Sequence, residues 1–494
     1  MSKNNFYWGD LHNHNEIGYG EGTVERSFRI AQNSLDFYGF TPHAFWSDMP
    51  KNDQKTRDYH IAGFNRTRQN WEKVRGIVRD YNVEDEFVTF LAYEWHSNTW
   101  GDYCVYFPDE NGEICRATDL DSLKEFALDK GCFILPHHVG YYQHCRSLNW
   151  AELDYKVSPV VEIFSEHGNS LEYHSHKTMM SHSMGGVSKQ QTVNENLKSG
   201  LKIGFIADTD DHCGYPGNYG EGLTCIVAPK LNRPSMIEAL RARHCYAVTG
   251  DRIKIDLAVN EDYLMGDIIE TDKINLDFKT SGLSPIKMVT LVKNSEPIKF
   301  WTPYTSEKIT CHKKLLKLEW GWDRFDPGQT HTEVTKWNHK ITIKGGSIDD
   351  FNPCLCGGDG SLVEENIYSW TSDSAQIDSY TSRGNIEATS AVTLEFNQAK
   401  DTTIIIETDA ELEDGSKYHL SNEVHLDELI DKDIHTPIYD CFAAPKIKIH
   451  STIDPQHYKL NNTYSEACQS GDYYYLKVEQ ENGHVAWSSP VYIK

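Results

Sequence analysis

The sequence predicts an α/β domain over residues 1–251, followed by a mainly antiparallel β-sandwich domain over residues 252–494. Two observations predict this division. In the first part, short apolar runs alternate with amphipathic stretches, which is typical of parallel β/α units in a barrel or an open doubly wound sheet. In the second part, apolar and polar residues alternate with a period of two and turn signals separate the runs, which is typical of a sandwich.

Strands and helices alternate in the predicted first domain. Buried strands are expected at residues 87–94, 132–138, 160–165 and 202–208, which are short apolar runs. Helices are expected at residues 24–39, 61–82, 120–131 and 233–244, where apolar residues recur with helical spacing. Thr23 is the expected N-cap of the first helix, and Gly39 and Gly131 are the expected helix ends.

The second domain is predicted from runs such as "IKIDLAVN", "INLDFKTSG" and "TTIIIETDA", which have the alternation of half-buried strands. A long irregular insertion is expected near residues 300–375. Within it, residues 319–328 and 366–372 are rich in aromatic side chains. We expect these aromatic residues to be buried against the first domain, and sugar stacking or an interface are the alternatives.

The composition excludes some classes of partner. The formal net charge of the 494 residues is −25, which argues against nucleic acid because such proteins use basic patches to displace counterions. No stretch reaches the ~20 apolar residues of a membrane helix, and the first ten residues lack the apolar core of a signal peptide. A cytoplasmic protein without membrane contact is therefore predicted, with a previously removed signal peptide as the alternative. The 12 cysteines form no C-x-x-C pair and are expected to be free thiols.

Histidine and carboxylate side chains are concentrated at the ends of the predicted strands. They are His12, His14, His43, Glu94, His137, His138, Glu162, His167, Asp208, Asp210, Asp211 and His212. In a parallel β/α fold the C-terminal ends of the strands converge on one face, where active sites form. So many buried polar groups need a cation between them, and imidazoles and carboxylates are ligands of divalent metals. The sequence therefore predicts a metal site at this face.

Spacing supports the same interpretation. In a strand, residues i and i+2 point to the same side, so His12 and His14 can bind one ion, and Asp210 and His212 repeat the arrangement. His174 and His176 have the same spacing, but no buried-strand pattern precedes them, and a structural role is expected. For His96, two residues after Glu94, the ligand and structural roles remain equally open.

The segments "GDLHNHNE", "YGFTPHAF", "YEWHS", "PHHVG", "VVEIFSEHG" and "ADTDDH", in this order, resemble the polymerase and histidinol phosphatase (PHP) superfamily. The resemblance covers about residues 5–250 and is looser beyond, where it suggests a branch with a C-terminal β-rich region. It implies a distorted (β/α)7 barrel, two or three divalent metal ions, commonly zinc, manganese or iron, and hydrolysis of phosphate mono- or diesters.

The resemblance also implies ligands residue by residue. They are the first-strand pair His12 and His14, His43 of the second motif, Glu94 as a bridging carboxylate, His137 or His138, and the terminal pair Asp210 and His212. Some expected ligands are missing from this chain. The second motif reads Thr41-Pro42-His43 without its usual aspartate, and Glu16 or Glu21 stands where a further histidine is expected. No clear histidine precedes residues 105–107, although His96 is a substitute, so two metal ions are favoured over three.

The mechanism that follows is a hypothesis. A hydroxide bridging two metal ions would attack an ester, with Glu94 among the groups that hold it. Arg146 is a candidate for stabilising negative charge, and His167 or His212 for protonating the leaving group. Glu162 is a further candidate ligand, and residues 213–222 either shape the substrate pocket or only connect two elements.

Three functions remain open at this stage. The first is a metal-dependent phosphoesterase that acts on a small-molecule or oligomeric ester. The second is a metal-dependent hydrolase of a carboxylic ester, lactone, amide or sulfate ester. The third is a non-catalytic, metal-stabilised binding module. They stay open because a fold does not settle the chemistry of its site.

Overall fold

The computed structural model describes residues 4–51, 53–175, 177–181, 185–305, 313–322, 334–357, 365–382, 389–397, 401–430, 432–440 and 444–494. These residues form a mixed α/β structure that is rich in strands. Among them there is no helix with the length and apolar composition needed to cross a bilayer.

Strands and helices alternate through residues 1–251. The strands are β1 (Asn5–Asn13), β2 (Phe37–Phe40), β3 (His43–Trp46), β4 (Val88–His96), β5 (Tyr103–Tyr106), β6 (Phe133–Pro136), β7 (Val160–Ser165), β8 (Gly168–Asn169), β9 (Gly204–Ala207), β10 (Leu223–Ala228) and β11 (Cys245–Val248). The helices are α1 (Val24–Ser34), α2 (Gln54–Gln69), α3 (Trp71–Tyr81), α4 (Leu120–Lys130), α5 (Val193–Leu197) and α6 (Arg233–Arg241). All four predicted buried strands are present, as β4, β6, β7 and β9.

The helix ends confirm some sequence predictions and correct others. Thr23 caps α1 by accepting a hydrogen bond from the Arg26 amide, and Gly131 ends α4 with a left-handed φ of 67°, both as predicted. The prediction that the first helix continues to Gly39 is wrong. Gly39 lies in β2, where an added Cβ would be 2.7 Å from the carbonyl oxygen of Leu11. The aromatic residues around Gly39 favour a strand over a helix.

The predicted helix over residues 61–82 is divided in two. Helix α2 ends at Gln69 and α3 begins at Trp71, with Asn70 between them. The Asn70 backbone has φ −105° and ψ 9°, which is outside the helical region, so the helical direction changes there.

Most strands of the first part belong to one large sheet with mixed pairing. Its main path runs β6-β5-β4-β2-β1-β10-β11, and β3 pairs with β4. The pairs β1/β2, β2/β4 and β3/β4 are parallel, whereas β4/β5, β5/β6, β1/β10 and β10/β11 are antiparallel. Parallel β/α units therefore account for only part of the first region, because β5, β10 and β11 run against their neighbours.

A second, smaller sheet completes the surroundings of one apolar interior. In it β7 pairs with β8 and, in parallel, with β9. Strand β7 contacts β6, and β9 contacts β10 and β11. The strands and α6 share a cluster of buried apolar side chains, which includes Leu11, Phe90, Tyr106, Leu135 and Ile226. This interior is the base on which the polar site described below is built.

Residues near the C-terminus join the large sheet. Strands β28 (Tyr473–Gln480), β29 (Val485–Ser488) and β30 (Val491–Ile493) extend it beyond β11, with β29 antiparallel to β11. The same segment holds the start of β9: the Ser489 hydroxyl accepts a hydrogen bond from the Phe205 amide at 2.9 Å, and the Tyr492 hydroxyl one from the Ile203 amide at 3.0 Å. The domain boundary predicted at residue 251 stays a prediction.

Beyond residue 251 the structure is almost entirely made of strands. Before the C-terminal segment they are β12 (Lys254–Val259), β13 (Ile268–Ile269), β14 (Lys273–Ser281), β15 (Ile286–Lys293), β16 (Glu296–Trp301), β17 (Lys314–Gly321), β18 (Val334–Lys344), β19 (Ile348–Cys354), β20 (Ile367–Trp370), β21 (Ser374–Ser382), β22 (Thr389–Phe396), β23 (Thr403–Leu412), β24 (Lys417–His425), β25 (Ile434–Pro437), β26 (Lys446–Ile449) and β27 (Lys459–Ala467). A short helix, α7 (Pro455–Tyr458), precedes β27.

Two five-stranded antiparallel sheets face each other in this region. Their orders are β19-β22-β17-β26-β25 and β20-β21-β18-β23-β24, and both sheets contribute to one buried apolar core. The irregular insertion predicted near residues 300–375 is therefore wrong for the described residues, which form β17 to β21 there. The sequence "VTKWNHKITIK" of β18 has the alternation of a sheet facing a core on one side, and its burial alternates accordingly.

Aromatic residues of this region are buried in the core of the sandwich, and β20, which carries Tyr368, also contacts α1. Trp320 and Trp322 belong to its core, and Tyr368 packs against that core. Trp370 is 40% exposed. Residues 323–328 of the predicted aromatic segment lie outside the described residues.

A buried histidine in the sandwich core gives a testable dependence of stability on pH. His339 is fully buried beside the indole rings of Trp320 and Trp337, and burial lowers its pKa from 6.5 to about 3. The unfolded chain binds this proton below pH 6.5, whereas the folded chain does so only near pH 3, so stability falls as the pH decreases through this window. At pH 4.5 we expect this residue to lower the free energy of unfolding by about 2–3 kcal/mol relative to pH 7.5.

The measurement is denaturant unfolding of the wild type and His339→Gln at both pH values. The variant should lose less stability on acidification than the wild type. An equal loss in both proteins would contradict the assignment.

Candidate metal centre

The predicted ligands lie together where the apolar interior ends. His12, His14, His43, Glu94, His137, His138, Glu162 and Asp210 are each at most 3% exposed. His212, whose side chain is 37% exposed, lies at the solvent side of this cluster. Strands β1, β3, β4, β6, β7 and β9 contribute these residues within the strand or just after it, so segments far apart in the sequence meet at one place.

Asp210 lies at the centre of one half of the cluster. Its Oδ1 atom is 2.9 Å from Nε2 of His14 and 3.3 Å from Nε2 of His12, and these two nitrogens are 3.1 Å apart. Neighbouring ligand atoms of a tetrahedral zinc ion are separated by about 3.5 Å. The three atoms of His12, His14 and Asp210 are close enough together to bind one shared ion.

Backbone contacts hold these residues in register. The His14 amide donates to the carbonyl of Asp211 at 2.9 Å, and the Asp210 amide donates to the carbonyl of His12 at 2.8 Å. Asp210 has a left-handed φ of 54°, a conformation that aspartate tolerates better than most residues. The end of β1 is therefore fixed directly to the turn that follows β9.

Glu94 lies at the centre of the other half. Its Oε1 atom is 2.8 Å from Nε2 of His137, and its Oε2 atom is 3.2 Å from Nε2 of His43 and 3.7 Å from Nε2 of His14. Because His14 is near both Glu94 and Asp210, the two halves of the cluster are continuous. The carboxylate of Glu94 lies between them.

Glu162 contacts the cluster by way of the His12 ring. Its Oε2 atom is 2.9 Å from Nδ1 of His12, which leaves Nε2 of that ring directed at Asp210. A carboxylate on the far nitrogen of a ligating imidazole fixes the orientation and tautomer of the ring. The position of Glu162 therefore suits an orienting role better than direct ligation.

The two adjacent histidines after β6 have different partners. Nε2 of His137 contacts Glu94, whereas Nε2 of His138 is 3.3 Å from Oδ2 of Asp102. His138 has a left-handed φ of 36°, so the backbone turns between the two rings. Of the two alternatives left by the sequence, His137 has the contact with the central carboxylate.

Asp102 is a buried carboxylate that the sequence prediction missed. Its Oδ2 atom accepts a hydrogen bond from Nε of Arg146 at 2.7 Å and lies 3.0 Å from Nδ1 of His96. Nη2 of Arg146 is 2.9 Å from Nδ1 of His96 and 4.0 Å from Oε1 of Glu94. Burial raises the pKa of Asp102, but Arg146 and His96 more than offset this and hold it well below the usual value.

His167 and His212, the two candidate proton donors, lie at the solvent side. Nε2 of His167 is 3.1 Å from Oδ2 of Asp210, and the Tyr141 hydroxyl is 2.9 Å from its Nδ1. Nδ1 of His212 donates to the backbone carbonyl of Asp210 at 2.8 Å and lies 3.3 Å from Glu166. Burial lowers the pKa of His212, but Glu166 and Asp210 outweigh it and raise the pKa to about 9.

The electrostatics of the cluster fit a cation. Burial, together with neighbouring imidazoles, lowers the pKa values of His14, His43 and His137 well below 6.5, so these rings are neutral. Burial also raises the pKa of Glu94. Oε2 of Glu94, Nε2 of His96 and Nδ1 of His137 are buried without a hydrogen-bond partner among the described groups.

Neutral imidazoles and carboxylates with unsatisfied buried atoms are the donor set that divalent transition metals bind. The residues present therefore fit such an ion.

Glu16 and Glu21, which stand where the resemblance implies a further histidine, are both exposed. The ring of Tyr19 stacks on His43 with centroids 3.5 Å apart and also contacts His60. His174 is exposed, whereas His176 lies outside the described residues.

The loop at residues 213–222 is held by the sandwich region. Asn218 Oδ1 accepts a hydrogen bond from the Gly357 amide at 2.9 Å, and the Tyr219 amide donates to the carbonyl of Leu355 at 3.2 Å. The buried Asn366 amide donates to the Tyr215 hydroxyl, and the Tyr215 amide donates to Oδ1 of Asp211 at 2.8 Å. The loop therefore links the sandwich to the segment that carries Asp210.

Substitution of Asn366 tests this link. Asn366 also donates to the carbonyl of Cys356 at 3.1 Å and accepts from the Tyr380 amide at 2.9 Å. Asn366→Ala leaves several buried groups unpaired and should lower the free energy of unfolding by about 2–3 kcal/mol, against about 1 kcal/mol for Tyr215→Phe. Denaturant unfolding of both variants measures this. Equal, small effects would show that the link contributes little.

No family model matches the chain. Uncharacterised proteins of Chlamydia pneumoniae and Chlamydia trachomatis serovar D are 24% identical over 323 residues and 23% identical over 319 residues. Both alignments cover 60% of this chain and 49% of the relative, so the chain spans about half the length of the curated relatives it matches.

A solved structure from Bacteroides vulgatus is described as a two-domain protein containing a predicted PHP-like metal-dependent phosphoesterase. It is 12% identical to this chain and covers 85% of it and 96% of its own length, with a TM-score of 0.34. A TM-score of this size does not establish a common fold.

Proposed function

We propose that this protein is a metal-dependent hydrolase of phosphate mono- or diesters, with a PHP-type barrel around its metal centre. The observation that carries the proposal is the meeting of Glu94 and Asp210 with four imidazoles from three separate segments in one buried cluster. A buried group of this composition is expensive unless it binds a cation. The order of these residues along the chain, which resembles the PHP superfamily, supports the same assignment.

Two divalent ions, of zinc, manganese or iron, are proposed. His12, His14 and Asp210 would hold one of them, and His43 with Glu94 the other, with His137 as a further ligand. His14, His43 and His212 form a third group of suitable spacing, so a third ion at the solvent side is the alternative. When bound, such ions supply an activated water at neutral pH and neutralise charge on the reacting ester.

The chain's own residues position the reactants. Arg146 places a guanidinium group 4.0 Å from Glu94, and its contact with the buried Asp102 fixes its orientation. This cation can bind a non-bridging oxygen of an anionic ester beside the centre. His212 or His167, at the solvent side, can hold the proton that a leaving alkoxide needs. With its pKa raised to about 9, His212 carries that proton at neutral pH.

The experiment is hydrolysis of an ester panel combined with metal analysis of the purified protein. The panel contains chromogenic phosphate monoesters and diesters, sulfate esters, carboxylic esters and a lactone, each assayed with zinc, manganese and iron(II). Metal-dependent turnover of phosphate esters above all others supports the proposal. Preference for another ester would replace the substrate class, and stoichiometric metal without any turnover would favour a metal-stabilised binding module.

Substitution of Arg146 tests the anionic substrate. Arg146→Gln removes the charge and should lower kcat/KM for a phosphate ester by about a hundredfold, while Arg146→Lys keeps the charge without the planar fork and should lower it by about tenfold. Metal content should stay unchanged in both variants. Steady-state kinetics on a phosphate and an uncharged carboxylic ester provide the measurement. Equal losses on both substrates would contradict a role in binding the anionic group.

A further inference from the structure

A cysteine lies among the candidate metal ligands. Cys104, the second residue of β5, is 1% exposed and pairs in register with Glu94 of β4. Its Sγ atom and ring nitrogens of His12 and His137 all lie within 4.8 Å of one another. The thiol therefore lies against two histidines that the site already contains.

The position of Cys104 is at the boundary between the apolar interior and the polar cluster. Along β5, the side chains of Cys104 and Tyr106 belong to that interior, whereas Tyr103 and Val105 face the opposite side. A cysteine there has two possible roles, as a small apolar side chain or as a ligand. The spacing of the three atoms decides between them.

The spacing suits a shared ion. Zinc binds sulfur at about 2.3 Å and imidazole nitrogen at about 2.0 Å, so ligand atoms around one tetrahedral ion are about 3.5 Å apart. Three atoms mutually within 4.8 Å can reach this arrangement by small side-chain movements. In addition, Nδ1 of the buried His137 has no hydrogen-bond partner among the described residues, which leaves that ring able to take up a ligand role.

We propose that Cys104 is a thiolate ligand of the ion that His12 would hold, with His137 as the further ligand of the same ion. This inference rests on the proposed metal-dependent function and adds a soft sulfur ligand to the proposed metal centre. On binding, the Cys104 thiol loses its proton to solvent and the sulfur donates an electron pair to the metal. Thiolate favours zinc, iron(II) and cobalt(II) over manganese and magnesium.

Cobalt(II) provides a direct spectroscopic test. The protein is stripped of metal and titrated with cobalt(II), and the absorbance is recorded in the visible and near-ultraviolet ranges. Visible bands report cobalt bound by any protein ligands, whereas an intense near-ultraviolet band reports charge transfer from a thiolate. We expect both in the wild type, and Cys104→Ser should keep the visible bands while losing the near-ultraviolet band.

A matched variant controls for buried cysteines in general. Cys225 in β10 is fully buried, and Cys225→Ser should retain both sets of bands. Circular dichroism of each variant verifies folding, and a wild-type spectrum without the near-ultraviolet band overturns the proposal even if Cys104→Ser does not fold. Metal competition adds a second readout: the preference for zinc over manganese should fall about tenfold or more in Cys104→Ser.

The outcomes separate this inference from the proposed function. Visible bands without a near-ultraviolet band in the wild type overturn the thiolate ligand and leave the metal centre intact. A near-ultraviolet band that persists in Cys104→Ser also overturns it. Absence of any cobalt binding overturns both proposals together.

Discussion

Glu94→Gln is expected to abolish turnover and to lower the metal content of the purified protein, with little change in the fold. Glu94 contacts His137 at 2.8 Å and His43 at 3.2 Å, so its carboxylate joins both halves of the cluster. Glutamine has nearly the same shape but is neutral. Its N–H group would also face a histidine nitrogen that, in the proposed centre, binds metal or accepts a hydrogen bond. Because loss of an outer-shell partner already costs 10–100-fold, we expect a loss of roughly a thousandfold or more in kcat/KM.

The measurement combines steady-state kinetics with elemental analysis. Glu195→Gln on α5 is the matched control, because its side chain lies on the surface and pairs only with Lys198 in the described contacts. His14→Ala should behave like Glu94→Gln. Full metal content together with wild-type turnover in either variant would refute the centre.

Removal of the metal is expected to destabilise the protein strongly. A metal-free centre keeps Glu94, Asp210 and several imidazoles buried in contact without the cation that satisfies them. An ion present at a hundred times its Kd stabilises the folded state by about 2.7 kcal/mol. Because a unit of 150–250 residues changes its Tm by about 2–4 °C per kcal/mol, we expect chelation to lower the Tm of the predicted domain of residues 1–251 by about 5–10 °C.

Thermal unfolding before and after chelation, and again after metal is restored, gives this difference. Glu94→Gln is the internal control, since a centre that no longer binds metal should show little response to the chelator. An unchanged Tm in the chelated wild type would mean that no ion contributes to folding at this cluster.

The sequence predicts the cluster well where strand direction follows the parallel pattern. His12, His14, Glu94, His137 and Asp210 each lie near the C-terminal end of a strand, and all of them meet in the structure. They are predictable because an apolar run followed by a residue that can bind metal can be recognised in the amino-acid sequence alone.

The same rule does not identify Asp102 and Cys104, because they do not follow the C-terminal end of a strand. Strand β5 runs antiparallel to β4, so the beginning of β5, and not its end, lies beside the cluster. No local pattern distinguishes a reversed strand from a parallel one of the same length and composition. The sequence analysis also does not predict the strand that contains Gly39 or the strands at residues 314–375, because these strands depend on pairing partners that are distant in the sequence.

The hydrogen bonds that join Ser489 and Tyr492 to the start of β9 affect when the cluster of candidate ligands is completed during synthesis of the chain. Asp210 and His212 follow β9, yet the Ile203 and Phe205 amides at the start of β9 and the free edge of β11 are paired only by residues 485–493. A nascent chain released from the ribosome up to residue 251 therefore holds every proposed ligand without the support that fixes the last pair. We therefore expect the proposed ion to bind with full affinity only after translation has passed residue 493.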